Sequence, residues 1–249
     1  MRTIKCSILF SLLFLPSLAS AWGPLTHMYL GSEVFSLAAL LPSGIYALIR
    51  KFKHDFLYGN LIADIIIGKR YLPQDRNPHS WEMALNLFRS TENPQQEAFM
   101  YGYLSHLAAD TVAHGRFTSF RRNIGHTLLE LRADSLINKK YWYQAVTIER
   151  KVQRRNDLFL RRSFERNIEI PCLFSFKTNK RIFKSILLLS CFNKEGFGDM
   201  IQRNSLDPLP LSRMSIERLH LDSIDRIIDV LSYDEESDVI RKSPIAGIR

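Results

Sequence analysis

The segment Gly102-Tyr-Leu-Ser-His-Leu-Ala-Ala-Asp-Thr-Val-Ala-His114 combines an apolar helix pattern with three ionisable side chains spaced four residues apart. Residues four apart on an α-helix are offset by about 40°, so His106, Asp110 and His114 form one slightly spiralling stripe about 12 Å long. The neighbouring leucines and alanines are apolar, and unpaired ionisable groups beside an apolar face are costly. A metal ion would balance these groups, so the segment predicts a metal site on a helix.

The same spacing recurs at His126 and Glu130, which would lie side by side one helix later. Imidazole nitrogen and carboxylate oxygen are the ligands of catalytic zinc, whose sites keep one position open for water or substrate. A single HxxxD or HxxxE pair is also common in a capped or salt-bridged surface turn. The metal prediction therefore rests on the combined set and not on either pair alone.

Helical periodicity dominates the whole chain and strand alternation is scarce, which predicts an all-α fold. A loop is predicted over 71–80, which is rich in Pro, Asn and Asp and carries His79. The predicted helices cover residues 25–40, 96–114, 125–137, 141–165, 179–192 and 214–232.

The first 21 residues have the three parts of a secretory signal peptide. A basic start precedes an apolar run over 7–18, and Ala19-Ser20-Ala21 stands directly before Trp22. The apolar run is shorter than the roughly 20 residues that span a bilayer. We therefore expect cleavage after Ala21 and export, to the periplasm or the outside of the cell. The alternative is an N-terminal helix that stays attached.

The mature chain would be one helical domain over 22–233, followed by a polar and frayed tail over 234–249. A hydrophobic content of 46% is ordinary for a globular protein, and no segment after the leader has the length and composition of a transmembrane helix. Cys172 and Cys191 remain after cleavage; they could pair in an oxidising compartment and lack the spacing of a cysteine zinc site.

The formal net charge is +9, and it falls to +7 without Arg2 and Lys5. A charge of this sign attracts anionic surfaces such as acidic lipid headgroups or nucleic acid, and charge alone does not distinguish them. Five arginines after position 150 could form a face that contacts membrane phosphates or is simply solvated: Arg154, Arg155, Arg161, Arg162 and Arg166.

Nine positions, taken in order, resemble the zinc-dependent phospholipase C family, whose relatives include the S1/P1 nucleases on the same three-zinc helical scaffold. The resemblance extends from the N-terminal Trp22 to about residue 140, and it implies a multi-helix phospholipase C/P1 nuclease-like bundle. The matching positions are Trp22, His27, Asp64, His79, His106, Asp110, His114, His126 and Glu130.

The resemblance implies three Zn²⁺ ions. One would be held by Asp64, His79, His106 and Asp110, and a second by His114, His126 and Glu130. The third would be held by His27, by Asp110 as a bridging ligand, and by the amine nitrogen and carbonyl oxygen of Trp22. Since that chelate needs a free amine, removal of the leader would also be an activation step.

The resemblance implies hydrolysis of a phosphodiester by zinc-activated water, and we assign Asp64 the role of orienting or deprotonating that water.

Three functions stay open at this point. A phospholipase C would act on phospholipid, an S1/P1-type nuclease would act on single-stranded nucleic acid, and a structural zinc protein would have no catalysis. The HxxxE ending at Glu130 favours the phospholipase, because the nuclease branch typically ends in HxxxD. His27, only five residues after Trp22, has the short spacing also seen in nucleases.

Overall fold

A computed structural model of the chain describes residues 22–65, 77, 79–117, 130, 133–167, 176–192 and 212–244. Within these residues the structure is helical and contains no strand, as the sequence predicts. The α-helices are α1 (Pro24–Glu33), α2 (Ser43–Lys51), α3 (Lys53–Ile62), α4 (Trp81–Arg89), α5 (Pro94–Phe117), α6 (Lys139–Thr147), α7 (Arg150–Asn167), α8 (Phe176–Phe192) and α9 (Arg213–Tyr233).

Helix α5 is the centre of the fold. It packs most extensively against α3 and α9, and also against α4 and α1. Every residue from Ala98 to Ala113 is buried, and Gly102 lies directly against α3. Because α5 is buried on all sides, it has no single apolar face, and polar groups along it need partners inside the protein.

Two glycines let α3 and α5 approach closely. A Cβ added to Gly59 would overlap the carbonyl oxygen of Phe99, and one added to Gly102 would overlap the carbonyl oxygen of Phe56. The two backbones are therefore in direct contact where the helices cross, which fixes the register between them.

The helices begin at residues whose side chains accept the first free backbone N–H groups. Ser80 accepts from Met83 at the start of α4, Asn138 from Lys140 at the start of α6, and Ser212 from Ser215 at the start of α9. Helix α1 begins at Pro24, which has no N–H to satisfy.

The single helix predicted over 141–165 is wrong, because the structure has α6 and α7 there. Ile148 has an extended conformation (φ −54°, ψ 123°) that interrupts the helix, and its side chain is buried. Helices α2, α3 and α4 were not among the predicted helices. Most of the helix predicted over 125–137 lies outside the described residues, although residues 130 and 133–135 are helical.

The C-terminal segment differs from the frayed tail that the sequence predicts over 234–249. Its described part forms two 3₁₀ turns, Asp234–Glu236 and Asp238–Arg241. Val239 is buried, and Trp81 of α4 donates its indole N–H to the carbonyl oxygen of Lys242 at 2.8 Å. Residues 234–242 therefore pack against the helical bundle.

Among the described helices, none has both the length and the apolar composition needed to cross a lipid bilayer.

Candidate metal centre

Four of the predicted zinc ligands lie together in the interior. Each of Asp64, His79, His106 and Asp110 offers one ligand atom, and these atoms all lie within 4.8 Å of one another. Asp64 follows α3, His79 precedes α4, and the other two residues are on α5. The set combines two imidazoles with two carboxylates, which is the donor chemistry that zinc accepts.

Helix α3 fixes the orientation of the His106 ring. Its Nδ1 lies 2.8 Å from the carbonyl oxygen of Asn60, so Nδ1–H donates to that oxygen. The other nitrogen, Nε2, then faces the carboxylates of Asp64 at 3.5 Å and Asp110 at 3.4 Å. A backbone carbonyl on one imidazole nitrogen is a common way to hold the other nitrogen ready for a metal.

A short turn before α4 positions His79. The backbone N–H of His79 donates to the side chain of Asn77 at 2.9 Å, and Ser80 donates to the Asn77 carbonyl at 2.8 Å. His79 Nε2 lies 2.6 Å from Asp110, and its Nδ1 lies 3.8 Å from Asp64. His79 thus projects from a turn into the cluster, in accordance with the loop predicted over 71–80.

Helix α1 brings His27 to the same place. The His27 ring stacks on the His106 ring with centroids 3.6 Å apart and an interplanar angle of 18°. Its Nε2 lies 3.2 Å from Asp110 Oδ1, so Asp110 is approached by His27 on one oxygen and by His79 on the other. Asp110 therefore lies between His27 and His79, and its role as a ligand shared by two metal ions stays a prediction.

The buried charges shift the pKa values of the cluster strongly. Burial would lower the pKa of His106, but the negative charges of Asp64 and Asp110 outweigh it and raise that pKa to about 9. Burial would raise the pKa of Asp110, but the neighbouring His27 and His106 hold it well below its ordinary value. Burial and the charge of His106 lower the pKa of His27.

Several buried atoms of this cluster have no hydrogen bond within the described residues, and this observation tests whether a metal fits. They are Nδ1 and Nε2 of His27, Nε2 of His106 and Oδ1 of Asp110. Leaving such atoms without a partner costs about 1–3 kcal/mol each. A cation at the cluster would satisfy the lone pairs that point inward, so the donor set fits zinc.

The other predicted ligands are described in part. Glu130 is buried and helical, while His126 and the side chain of His114 lie outside the described residues. Trp22 is fully buried, and its indole N–H donates to the carbonyl oxygen of Ala109 at 3.1 Å, next to Asp110. The assignment of the second and third zinc ions therefore stays a prediction, as does the complete ligand list.

Three residues near the cluster were missed in the sequence. Asn60 orients His106 through its backbone, Asp134 accepts hydrogen bonds at the start of α1, and Ser223 of α9 accepts one from Trp22. The spacing pattern contains no sign of these contacts, because each joins segments far apart in the chain.

A cavity of about 610 Å³ lies between α5, α9 and the C-terminal turns. Thr111 and Val112 line it from α5, but none of the four clustered residues does. It is therefore separate from the four-residue cluster.

Comparison with known proteins identifies one family. A family model described as zinc dependent phospholipase C matches residues 26–172, which is more than half of the chain. Neither the curated proteins nor the solved structures gave a match. The matched region contains all four clustered residues and ends before α8 and α9.

Proposed function

Because this chain belongs to the zinc-dependent phospholipase C family, we propose that it cleaves phospholipid to diacylglycerol and a phosphorylated headgroup. The family supports a zinc-dependent hydrolase of phosphodiester bonds. The observation that carries the proposal is the buried cluster of two imidazoles and two carboxylates, with ligand atoms within 4.8 Å of one another.

Asp64, His79, His106 and Asp110 would hold a zinc ion, which supplies Lewis acidity and lowers the pKa of water toward about 7. The hydrogen bond from His106 Nδ1 to Asn60 keeps its Nε2 directed into the cluster. Asp110, buried between His27 and His79, would keep its negative charge and draw these imidazoles together.

We assign the proton-accepting role to Asp64. Its side chain is 8% exposed, whereas His79 is 3% exposed and His106 and Asp110 are fully buried. Asp64 is thus the clustered residue that bulk water reaches most easily. In the proposed reaction it orients the attacking water and accepts its proton while the water oxygen bonds to phosphorus. The bond between phosphorus and the diacylglycerol oxygen breaks, and that oxygen takes up a proton from solvent, to which Asp64 returns the proton it accepted.

We also propose three zinc ions and export of the chain by its leader. Trp22 lies beside the metal-bearing helix, which supports a role for its backbone once Ala21 has been removed. Export would place the active enzyme in the periplasm or outside the cell. N-terminal sequencing of the exported protein tests this step: the expected first residue is Trp22, and an intact leader would exclude the chelate through a free amine.

The test of function compares two substrates. Purified protein, loaded with zinc or treated with a chelator, is incubated with mixed phospholipid vesicles and, in parallel, with single-stranded nucleic acid. We expect diacylglycerol release that stops on chelation and returns with zinc. Nucleotide release with intact lipid would place the protein with the S1/P1 nucleases. No reaction on either substrate, with zinc bound, would contradict the proposal and leave a structural zinc protein.

Peripheral contact with an anionic membrane surface is a further part of this proposal. Helix α8 contains no acidic residue, and Lys177, Arg181 and Lys184 lie exposed along one side of it with Leu188. Their spacing of four, three and four residues places them on one face. Cations with an exposed apolar side chain suit a surface of acidic headgroups over acyl chains.

A further inference from the structure

Helix α9 holds Trp22 against α5, the helix that carries His106 and Asp110. The indole N–H of Trp22 is shared between the carbonyl oxygen of Ala109 at 3.1 Å and the hydroxyl of Ser223 at 3.2 Å. Ser223 is fully buried and donates its own proton to the carbonyl oxygen of Leu219 at 2.8 Å, so its oxygen is oriented to accept.

The ring of His220 also packs against Trp22. It lies one helical turn before Ser223, with its centroid 5.0 Å from the Trp22 ring. Burial lowers the pKa of His220 to about 4, so the ring is neutral at neutral pH and packs as an aromatic group. His220 is therefore a buried ring that packs beside Trp22.

Asp134 fixes the other end of the same short segment. Its carboxylate accepts from the backbone N–H of Leu25 at 3.2 Å, and from the N–H and hydroxyl of Thr26 at 2.9 and 2.8 Å. A Cβ at position 23 would overlap this carboxylate, so only glycine allows the approach. The first turn of α1 is therefore tied to the helical segment that follows Glu130.

We propose that Ser223 and Asp134 are positioning residues that hold 22–27 against α5 so that His27 meets Asp110. Between the two anchors, only four residues separate Trp22 from His27, and His27 Nε2 lies 3.2 Å from Asp110 Oδ1. A segment of this length, fixed at Trp22 and at Thr26, leaves the His27 ring little freedom. The inference rests on the zinc chemistry of the proposed function.

This assignment gives the C-terminal half of the chain a part in the metal centre. Ser223 lies outside residues 26–172, where the family model matches. Groups that orient metal ligands without binding the metal typically change metal affinity by about 10- to 100-fold when they are removed. Ser223 and Asp134 should therefore affect zinc affinity and not only stability.

The test measures zinc affinity of the full chain by competition with a chromogenic chelator. We expect Ser223→Val and Asp134→Ala to weaken at least one zinc site by about 10-fold. The matched controls are Ser232→Val, on the same helix but half-buried, and Asp225→Ala, which is exposed. Both controls should bind zinc as the unaltered protein does.

A purely structural role would lower the urea midpoint of the variants and leave the zinc affinity of the folded protein unchanged, and that result would overturn the proposal. Ser223→Ala, which removes only the hydroxyl, serves if Ser223→Val does not fold. Its expected effect is smaller but has the same direction, and unchanged affinity in a folded Ser223→Ala would also overturn the proposal. If the unaltered protein binds zinc but releases no diacylglycerol, the proposed function fails and the positioning roles stand.

Discussion

At the scale of single residues, His106 is held between two opposing influences. It is fully buried, which disfavours a charged ring, yet Asp64 and Asp110 lie within 3.5 Å of its Nε2. The carboxylates prevail, and the pKa of His106 is raised to about 9. Without a metal, a proton on His106 balances these carboxylates at neutral pH, in the place where a zinc ion would do so.

The first prediction is that zinc binding near pH 7 releases about one proton from His106, because zinc binds the neutral imidazole. Isothermal titration calorimetry in buffers of different ionisation enthalpy measures this release. The release should diminish well above pH 9, where His106 is already deprotonated. His54→Gln, which alters an exposed histidine, is the control and should release the same number of protons. Equal proton release near pH 7 and well above pH 9 would contradict the prediction.

The same shift has a consequence for the stability of the zinc-free protein. A group whose pKa is raised on folding binds more protons in the folded state between its two pKa values. The ordinary value for His is 6.5, and the folded value is about 9. The contribution of His106 to stability is therefore complete below about pH 6.5 and is lost as the pH rises through about 9.

Sequence spacing predicted much of the residue-scale picture. It indicated His106 and Asp110 on one helix and His79 in a loop, because ligand spacing on a helix is a local property. The partners that orient these ligands were not predictable in this way. The Asn60 contact uses a backbone carbonyl, which every residue has, and the Asp134 contact uses a carboxylate 108 residues away from Thr26.

At the scale of helices, the metal centre depends on the glycine contact between α3 and α5. This crossing places the Asn60 carbonyl against His106 and brings Asp64, just after α3, to the same ring. A side chain at either glycine would force the backbones apart and would move these two groups away from the ligands on α5.

The second prediction is that Gly102→Ala lowers the free energy of unfolding by about 1–3 kcal/mol and weakens zinc binding. Gly44→Ala is the matched control, because Gly44 is in α2 and a Cβ there would meet no atom within 4 Å. The control should gain about 0.5–1 kcal/mol from the smaller conformational freedom of alanine. Urea unfolding and zinc content measure both variants. Equal stability and equal zinc content in the two variants would show that the close approach of α3 and α5 is not required.

Helix positions were only partly predictable, for physical reasons. Hydrophobic periodicity indicates an amphipathic helix well, yet α3 is buried over most of its length and lacks a polar face. In α2, Pro42 and Gly44 resemble helix breakers, although Pro42 lies at the N-cap and Gly44 in the first turn, where both are tolerated. The break between α6 and α7 has neither proline nor glycine at Ile148 to indicate it.

At the scale of the whole molecule, part of the excess positive charge lies on the exposed face of α8. On α8 the exposed cations face solvent with no acid on their own helix, while Lys180 of the same helix is paired with Asp157 of α7. Like charges three and four residues apart on a helix repel one another and slightly destabilise it. An anionic membrane surface would relieve that repulsion.

The third prediction is that the triple variant Lys177→Glu, Arg181→Glu, Lys184→Glu binds anionic phospholipid vesicles about 100-fold more weakly, from about 1 kcal/mol per cation. Co-sedimentation with anionic and with zwitterionic vesicles measures the change. The control replaces Arg213, Arg218 and Arg241, which are also exposed, by Glu, so both variants lose the same net charge. A control that loses as much binding would show that net charge, and not the α8 face, is responsible. Hydrolysis of a soluble substrate should stay unchanged in both.

The family resemblance in the sequence ends near residue 140, and the family model ends at residue 172. Periodicity predicted helices beyond that point but not their partners. The contact of α9 with Trp22 joins residues 201 positions apart, and no local pattern contains such information.

That separation also sets a time order for assembly. A ribosome adds about 5–20 residues each second, so Ser223 is made about 10–40 s after Trp22. During that interval the chain contains Trp22 and His27 but not α9, which carries the Ser223 hydroxyl that contacts Trp22. The closing contact is among the most distant in the sequence, and contacts of that kind form slowly. The nascent chain therefore lacks the Trp22–Ser223 contact until α9 has been made, and we expect zinc binding to be complete only in the full-length chain.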